Sequence, residues 1–117
     1  MKNRPFPQRV RYAMNGIRLA FRTEASFRTQ LVFSFGAFLL LVALRPAPIW
    51  WAILLLTVSG VLAAELINTA LESVVDRLHP EKDPVIGRAK DCAAGAVLVL
   101  SLASLGVAGA MLWSWWK

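Results

Sequence analysis

Three stretches of the 117-residue chain carry no charged side chain: residues 29–44, 46–64 and 92–116. A helix that crosses the roughly 30 Å hydrocarbon core of a bilayer needs about 20 mostly apolar residues. The first stretch reaches that length if its helix begins at Phe27, and the second continues as a helical pattern past Glu65. The pattern therefore predicts transmembrane helices over about residues 27–45, 48–77 and 88–115.

The residues before the first span follow a different pattern. Val10, Met14, Ile17 and Phe21 recur at helical spacing, and arginine or asparagine fills many intervening positions. This predicts a basic amphipathic helix over about residues 6–24 that lies on the anionic cytoplasmic surface of a membrane. A soluble helix packed on a partner is the alternative. Residues 1–117 are thus expected to form a single all-α membrane domain.

Composition supports the membrane class. The chain is 57% hydrophobic and 17% charged, whereas ordinary soluble domains have about 45–50% and 25%. The net charge of +6 does not indicate nucleic-acid binding, because the basic residues form no patch with interleaved aromatics. The single cysteine, Cys92, excludes an intrachain disulfide and is expected to be a small packing residue. No signal peptide is expected, because arginines occur throughout the first 28 residues.

The distribution of basic residues predicts the orientation of the spans. All Lys and Arg residues except Arg45 and Lys117 fall in the N-terminal segment or around the loop expected at residues 78–87. The positive-inside rule places that side in the cytoplasm. All five tryptophans fall at the opposite ends of the spans, where aromatic belts form. We expect a multi-pass protein of the cytoplasmic membrane with a cytoplasmic N-terminus.

A polar stripe marks the cytoplasmic half of the second span. Glu65, Asn68, Glu72 and Asp76 fall on one face of the helix. Glu65 lies about 22 Å along the helix from Trp50, which places it beneath the headgroups, and Glu72 lies about 10 Å further on. A carboxylate near hydrocarbon is costly, so it indicates a functional site.

The stripe and its neighbours suggest phosphoryl transfer. Removal from water makes Glu65 a stronger base, while the wetter Glu72, with Glu24, can bind Mg²⁺. Arg88 and Lys90 offer positive charge for a phosphate. This set at a lipid–water boundary suits transfer from a soluble donor to a lipid hydroxyl. The alternative is that these residues serve only as caps, anchors or interhelical pairs. The motifs of soluble kinases and hydrolases are absent from the sequence, and the isolated His79 is expected to be incidental.

Four sequence runs resemble the small prokaryotic diacylglycerol kinases, a family that includes undecaprenol kinases. The runs are ELINTALE (65–72), VDR (75–77), GRAKD (87–91) and EASFR (24–28). The resemblance implies a homotrimer in a bacterial inner membrane, with active sites shared between subunits. It also implies ATP- and Mg²⁺-dependent phosphorylation of diacylglycerol to phosphatidic acid.

The resemblance assigns roles by matching position. Glu65 is implied to be the catalytic base, Asn68 a group that positions the reactants, and Glu24 and Glu72 the metal ligands. The implied ATP-binding residues are Tyr12, Glu24, Glu72, Glu81, Lys82, Asp83, Lys90 and Asp91. The implied lipid-binding residues are Arg18, Phe27, Arg28, Gln30, Glu65 and Ala94.

The chain departs from the family pattern at two lipid-side positions. Ala94 replaces a serine, and Gln30 replaces an acid. Asn15-Gly16 and the AAGAV run resemble the undecaprenol kinases, whereas EASFR and Asp76-Arg77 resemble the diacylglycerol branch. We expect diacylglycerol as the substrate, with undecaprenol as the alternative and a non-enzymatic membrane assembly protein as the alternative from another class. Asp76 is expected to have a structural partner such as Arg88.

Overall fold

A computed structural model describes residues 3–117, which form four α-helices. Lys2, one of the basic residues of the N-terminal segment, lies outside the described residues. The helices are α1 (Phe6–Thr23), α2 (Ala25–Leu44), α3 (Pro48–Leu78) and α4 (Pro84–Trp116). This confirms the expected all-α architecture.

Helices α2, α3 and α4 are long and apolar enough to cross a membrane, with 20, 31 and 33 residues. At 1.5 Å per residue, α3 and α4 are each longer than about 45 Å, well beyond a bilayer core of roughly 30 Å. Each is therefore long enough to cross a bilayer core and either tilt within it or extend past it. The three expected candidate spans are confirmed.

Local chemistry explains where the helices turn. Arg45 adopts the left-handed conformation with φ 48° and ends α2, and Pro48 occupies the first turn of α3, where proline is tolerated. At the corner between α1 and α2, Glu24 is extended. Arg28 stabilises that corner, because its Nη1 donates to the carbonyls of Phe21 at 2.7 Å and Arg22 at 3.1 Å.

The loop between α3 and α4 is shorter than the sequence suggested. It spans residues 79–83, and Gly87 lies inside α4 rather than ending the loop. The cause is the cap: the Asp83 carboxylate accepts from the amides of Val85 at 2.8 Å and Ile86 at 3.3 Å. Pro84 then begins the helix, as is common at the first helical position.

The apolar core lies near the helix ends that carry the tryptophans. Leu41 of α2, Leu54 of α3 and Met111 of α4 are fully buried against one another, and Trp50 and Trp51 pack around them. We call this region the tryptophan end. Helices α3 and α4 form the most extensive pair. They approach closely at Gly60, where a Cβ would lie 3.4 Å from Leu100.

Candidate functional site

Glu65 is the one buried polar or charged residue within residues 3–117, with 3% of its surface exposed. Its Oε1 accepts a hydrogen bond of 2.7 Å from the Ser26 hydroxyl. Ser26 lies in the first turn of α2, directly after the corner that Arg28 holds. The α1–α2 corner therefore places a hydroxyl on the carboxylate of α3.

Asn68 follows one turn later on the same face of α3. Its Nδ2 donates to Glu72 Oε1 at 3.1 Å. Its Oδ1 is buried and has no hydrogen-bond partner within the described part of the chain. Buried polar atoms are nearly always satisfied, so the unpaired oxygen marks this turn of α3 as an unusual polar site.

Asp76 continues the stripe at the end of α3 and pairs with α4. Its Oδ1 accepts a 2.6 Å hydrogen bond from Lys90 Nζ. The expectation that Asp76 would pair with a residue such as Arg88 was wrong, because its partner is Lys90. Residues 88 and 90 are separated by about 200° around the helix, so only one of them can face α3. Glu65, Asn68, Glu72 and Asp76 together are called the carboxylate end.

A pocket of about 570 Å³ opens beside this ion pair, at the loop between α3 and α4. It brings together four of the residues expected to bind ATP. These are Glu81, Lys82, Asp83 and Lys90. Tyr12, Glu24, Glu72 and Asp91 do not line it. Tyr12 lies on α1 with the guanidinium groups of Arg4 and Arg11 at 5.6 and 6.0 Å from its ring centroid.

His79, which was expected to be incidental, lies near two acids of the loop. Its Nδ1 lies 3.4 Å from Glu81 Oε2, and its Nε2 lies 3.8 Å from Asp83 Oδ2. The histidine therefore lies near two carboxylates at the partly exposed edge of the pocket. The signal that could have revealed this was the spacing of the two acids, two and four residues after His79.

The expected lipid-binding residues do not form one cluster within the described chain. Phe27 is buried at 2% exposure, and Arg28 caps α1. Gln30 reaches across the bundle, where its Nε2 donates to Ser101 Oγ at 3.3 Å. Arg18 donates to Asn15 Oδ1 at 3.2 Å, and Ala94 is exposed on α4. Gln30 and Ser101 also line an apolar cavity of about 550 Å³ between α2, α3 and α4.

Cys92 is exposed, so the expectation of a packing residue does not hold for this chain.

The expected metal ligands Glu24 and Glu72 are both half-buried. Residues 3–117 contain no group of three or more His, Cys, Asp or Glu residues placed to hold a metal. Magnesium at phosphoryl-transfer sites is commonly held by one or two carboxylates together with phosphate oxygens. Glu24 and Glu72 are carboxylates of the kind that this pattern requires.

A buried carboxylate on an apolar helix that is long enough to cross a membrane, with a charged pocket at the end of the same helix, indicates a functional site of a membrane protein. Comparison with known proteins gives the family. The model of the prokaryotic diacylglycerol kinases matches residues 11–112. The chain belongs to this family of lipid kinases, which confirms the resemblance and the enzyme class.

Individual relatives include both kinds of lipid kinase. The chain is 40% identical over 103 residues to a diacylglycerol kinase of Synechocystis, covering 87% of this chain and 59% of that protein. It is 34% identical over 103 residues to the diacylglycerol kinase of Escherichia coli K12, covering 88% of this chain and 84% of that protein. It is also 34% identical over 93 residues to the undecaprenol kinase of Bacillus subtilis, covering 80% of this chain and 76% of that protein.

Proposed function

We propose that the protein transfers the γ-phosphate of ATP to the primary hydroxyl of sn-1,2-diacylglycerol, which gives phosphatidic acid. The observation that carries the proposal is the hydrogen bond between Ser26 and Glu65, 2.7 Å long, on a carboxylate that is 3% exposed. The Ser26 hydroxyl already donates a hydrogen bond to this carboxylate. A lipid hydroxyl that approached the same carboxylate would be held in the manner that general-base catalysis requires.

The proposed step is a single displacement at phosphorus. The lipid oxygen forms a bond to the γ-phosphorus as the bond between the γ-phosphorus and the bridging oxygen of ADP breaks. The lipid's hydroxyl proton passes to the Glu65 carboxylate. Burial supports this role for Glu65, because water competes little for its lone pairs.

The nucleotide is proposed to bind in the pocket at the α3–α4 loop. The pocket's volume of about 570 Å³ falls within the roughly 300–1,000 Å³ that is usual for ligand sites. Lys82 and Lys90 supply positive charge to phosphate oxygens, and Asp76 holds the Lys90 ammonium at 2.6 Å. Glu72 lies one turn of α3 from Asp76, between this pocket and Glu65.

Glu72 and Glu24 are proposed as the protein ligands of Mg²⁺, because carboxylate oxygens are ligands that this ion prefers. When bound, Mg²⁺ would neutralise negative charge on the transferring phosphate. Asn68 keeps Glu72 oriented through its 3.1 Å hydrogen bond.

A homotrimer in the bacterial inner membrane, with a cytoplasmic N-terminus and α1 on the membrane surface, completes the proposal. Support for an interface comes from the many exposed small side chains of α4, which let membrane helices approach closely. Light scattering of the detergent-solubilised protein measures the subunit number, and a monomeric mass would contradict this part.

The function is tested with purified protein, labelled ATP, Mg²⁺ and dioleoylglycerol in mixed micelles. We expect labelled phosphatidic acid and a loss of product when Mg²⁺ is chelated. Equal amounts of dioleoylglycerol and undecaprenol in one reaction then test the lipid. A large preference for undecaprenol would support the second candidate, which the 34% identity to an undecaprenol kinase favours.

The same assay tests the non-enzymatic alternative. An assembly protein would label neither lipid and would gain no thermal stability from a non-hydrolysable ATP analogue with Mg²⁺. A kinase is stabilised by the nucleotide, because ligand binding to the native state shifts the unfolding equilibrium.

A further inference from the structure

The Ser26 hydroxyl makes the same contact with Glu65 that the lipid hydroxyl makes in the proposed reaction. Its oxygen lies 2.7 Å from Glu65 Oε1, within the reach of about 2.6–3.2 Å that a general base requires. Within residues 3–117, Ser26 is the one residue whose hydroxyl donates to a carboxylate. The other donating hydroxyls bond to carbonyls of their own helix, as Ser34 does to Gln30 at 2.7 Å.

Serine carries the same reacting group as the proposed lipid substrate. Each presents a primary alcohol, and such an oxygen is a weak nucleophile until an adjacent base takes its proton. Ser26 is exposed, whereas Glu65 is buried, so the hydroxyl lies at the edge of a carboxylate that is largely removed from water. A phosphoryl donor that reaches a lipid hydroxyl on this carboxylate therefore also reaches the serine.

The corner between α1 and α2 holds the serine in this position. Ser26 lies in the first turn of α2, and Arg28 fixes the corner by donating to the carbonyls of Phe21 and Arg22. Holding a nucleophile beside its base favours reaction, because the two groups need no encounter from solution. When no lipid is bound, the serine is the alcohol that remains on Glu65.

We propose that Ser26 is a phosphorylation site of the protein itself, modified by ATP when no lipid hydroxyl occupies Glu65. Ser26 Oγ forms a bond to the γ-phosphorus as the bond between that phosphorus and the bridging oxygen of ADP breaks. The hydroxyl proton passes to the Glu65 carboxylate, and the products are ADP and phosphoserine. This inference rests on the proposed kinase function and adds a second acceptor to the same site.

The modification would stop lipid phosphorylation at this site. A phosphoserine carries a charge of about −1.5 to −2 at pH 7, and next to a carboxylate it disrupts by like-charge repulsion. It would stand where the lipid hydroxyl has to approach Glu65. Lipid and serine thus compete for one base, so bound lipid protects the enzyme from its own inactivation.

The test incubates the full chain in detergent with labelled ATP and Mg²⁺ but without lipid, and then maps the phosphate by peptide mass spectrometry. We expect phosphate on Ser26 and a loss of later lipid turnover in proportion to the labelled fraction. Dioleoylglycerol in the incubation should suppress both. Glu65→Gln should slow the labelling of Ser26 by at least about a hundredfold. Ser26→Ala should keep its own lipid turnover through the same incubation, and thermal unfolding verifies that each variant is folded.

Ser34→Ala is the matched control, because Ser34 lies on the same helix and its hydroxyl bonds to a backbone carbonyl. We expect Ser26 to be labelled in this variant as in the wild type. Lipid turnover without phosphate on Ser26 would overturn the inference and leave the proposed function standing. Phosphate confined to other residues, or equal labelling of Ser26 in Glu65→Gln, would overturn it as well. A preparation that labels neither lipid nor Ser26 would overturn both proposals.

Discussion

The tryptophan end and the carboxylate end of the bundle are stabilised by different means. At the tryptophan end, Leu41, Leu54 and Met111 are fully buried and the packing is apolar. At the carboxylate end, the one buried charged residue of the described chain, Glu65, is held by a hydrogen bond from Ser26. One buried oxygen, on Asn68, is left unsatisfied there. One end is therefore held by apolar packing, whereas the other places polar groups inside the bundle.

The first prediction, with the largest expected effect, is that Glu65→Gln lowers the turnover rate and leaves the stability of the bundle nearly unchanged. The amide keeps the size of the side chain and can still accept from Ser26, but it cannot take the lipid's proton. We expect kcat to fall by at least about a hundredfold, the lower range for loss of a general base, with little change in unfolding. Rates with labelled ATP and dioleoylglycerol measure kcat. Undiminished turnover would remove Glu65 from its proposed role.

Glu81→Gln is the matched control for that substitution. Glu81 lines the loop pocket and contacts His79 instead of the buried stripe. We expect it to change the KM for ATP more than kcat. If both substitutions lowered kcat equally, Glu65 and the loop pocket could not be assigned to separate lipid and nucleotide sites.

The second prediction concerns the tryptophan end. Leu54→Ala removes a side chain that is 1% exposed and leaves a cavity beside Leu41 and Met111. We expect a loss of about 2 kcal/mol in the free energy of unfolding, near the lower bound for such truncations. The loss is modest because packing, rather than water exclusion, drives association in a bilayer. The KM for ATP should stay unchanged.

Leu56→Ala is the control, since Leu56 lies on the same helix and is 74% exposed. Unfolding is measured in mixed micelles as the SDS fraction is raised. The Leu56→Ala variant should be half unfolded at nearly the same SDS fraction as the wild type. An equal loss in both variants would show that helix propensity or lipid contact, and not the buried cluster, dominates at this end.

The spans were predictable from sequence because a membrane imposes a length and an apolar composition on each helix. The stripe on α3 was predictable because Glu65, Asn68 and Glu72 share one face of a regular helix. Three contacts were not predictable: Ser26 with Glu65, Arg28 with the carbonyls of α1, and Lys90 with Asp76. Each depends on the rotation of one helix relative to another, which composition and periodicity do not specify.

The third prediction tests the ion pair that joins α3 and α4 at the carboxylate end. Asp76→Asn releases Lys90, and we expect the KM for ATP to rise roughly threefold. The effect is modest because partly exposed ion pairs contribute about 0.2–1 kcal/mol, and the two side chains are 62% and 34% exposed. Steady-state kinetics with ATP varied measure it, and kcat should change little.

A double-mutant cycle shows whether Asp76 acts through Lys90. If it does, Asp76→Asn adds nothing to the effect of Lys90→Gln, because the two residues then share one interaction. Fully additive effects would show instead that Asp76 acts on the nucleotide by another route. The loop pocket would then lose its proposed positioning residue.

The smallest expected effect belongs to Ser26→Ala, which removes the hydroxyl from Glu65 but leaves the proposed base in place. Interhelical hydrogen bonds in membrane proteins average about 0.6 kcal/mol. We therefore expect a comparable loss of stability and a change in kcat of less than about threefold. Ser34→Ala is the control, because the Ser34 hydroxyl donates only within α2, to the Gln30 carbonyl at 2.7 Å. If Ser26→Ala were as inactive as Glu65→Gln, the serine would belong to the proton path, and the chemistry would involve α2 as much as α3.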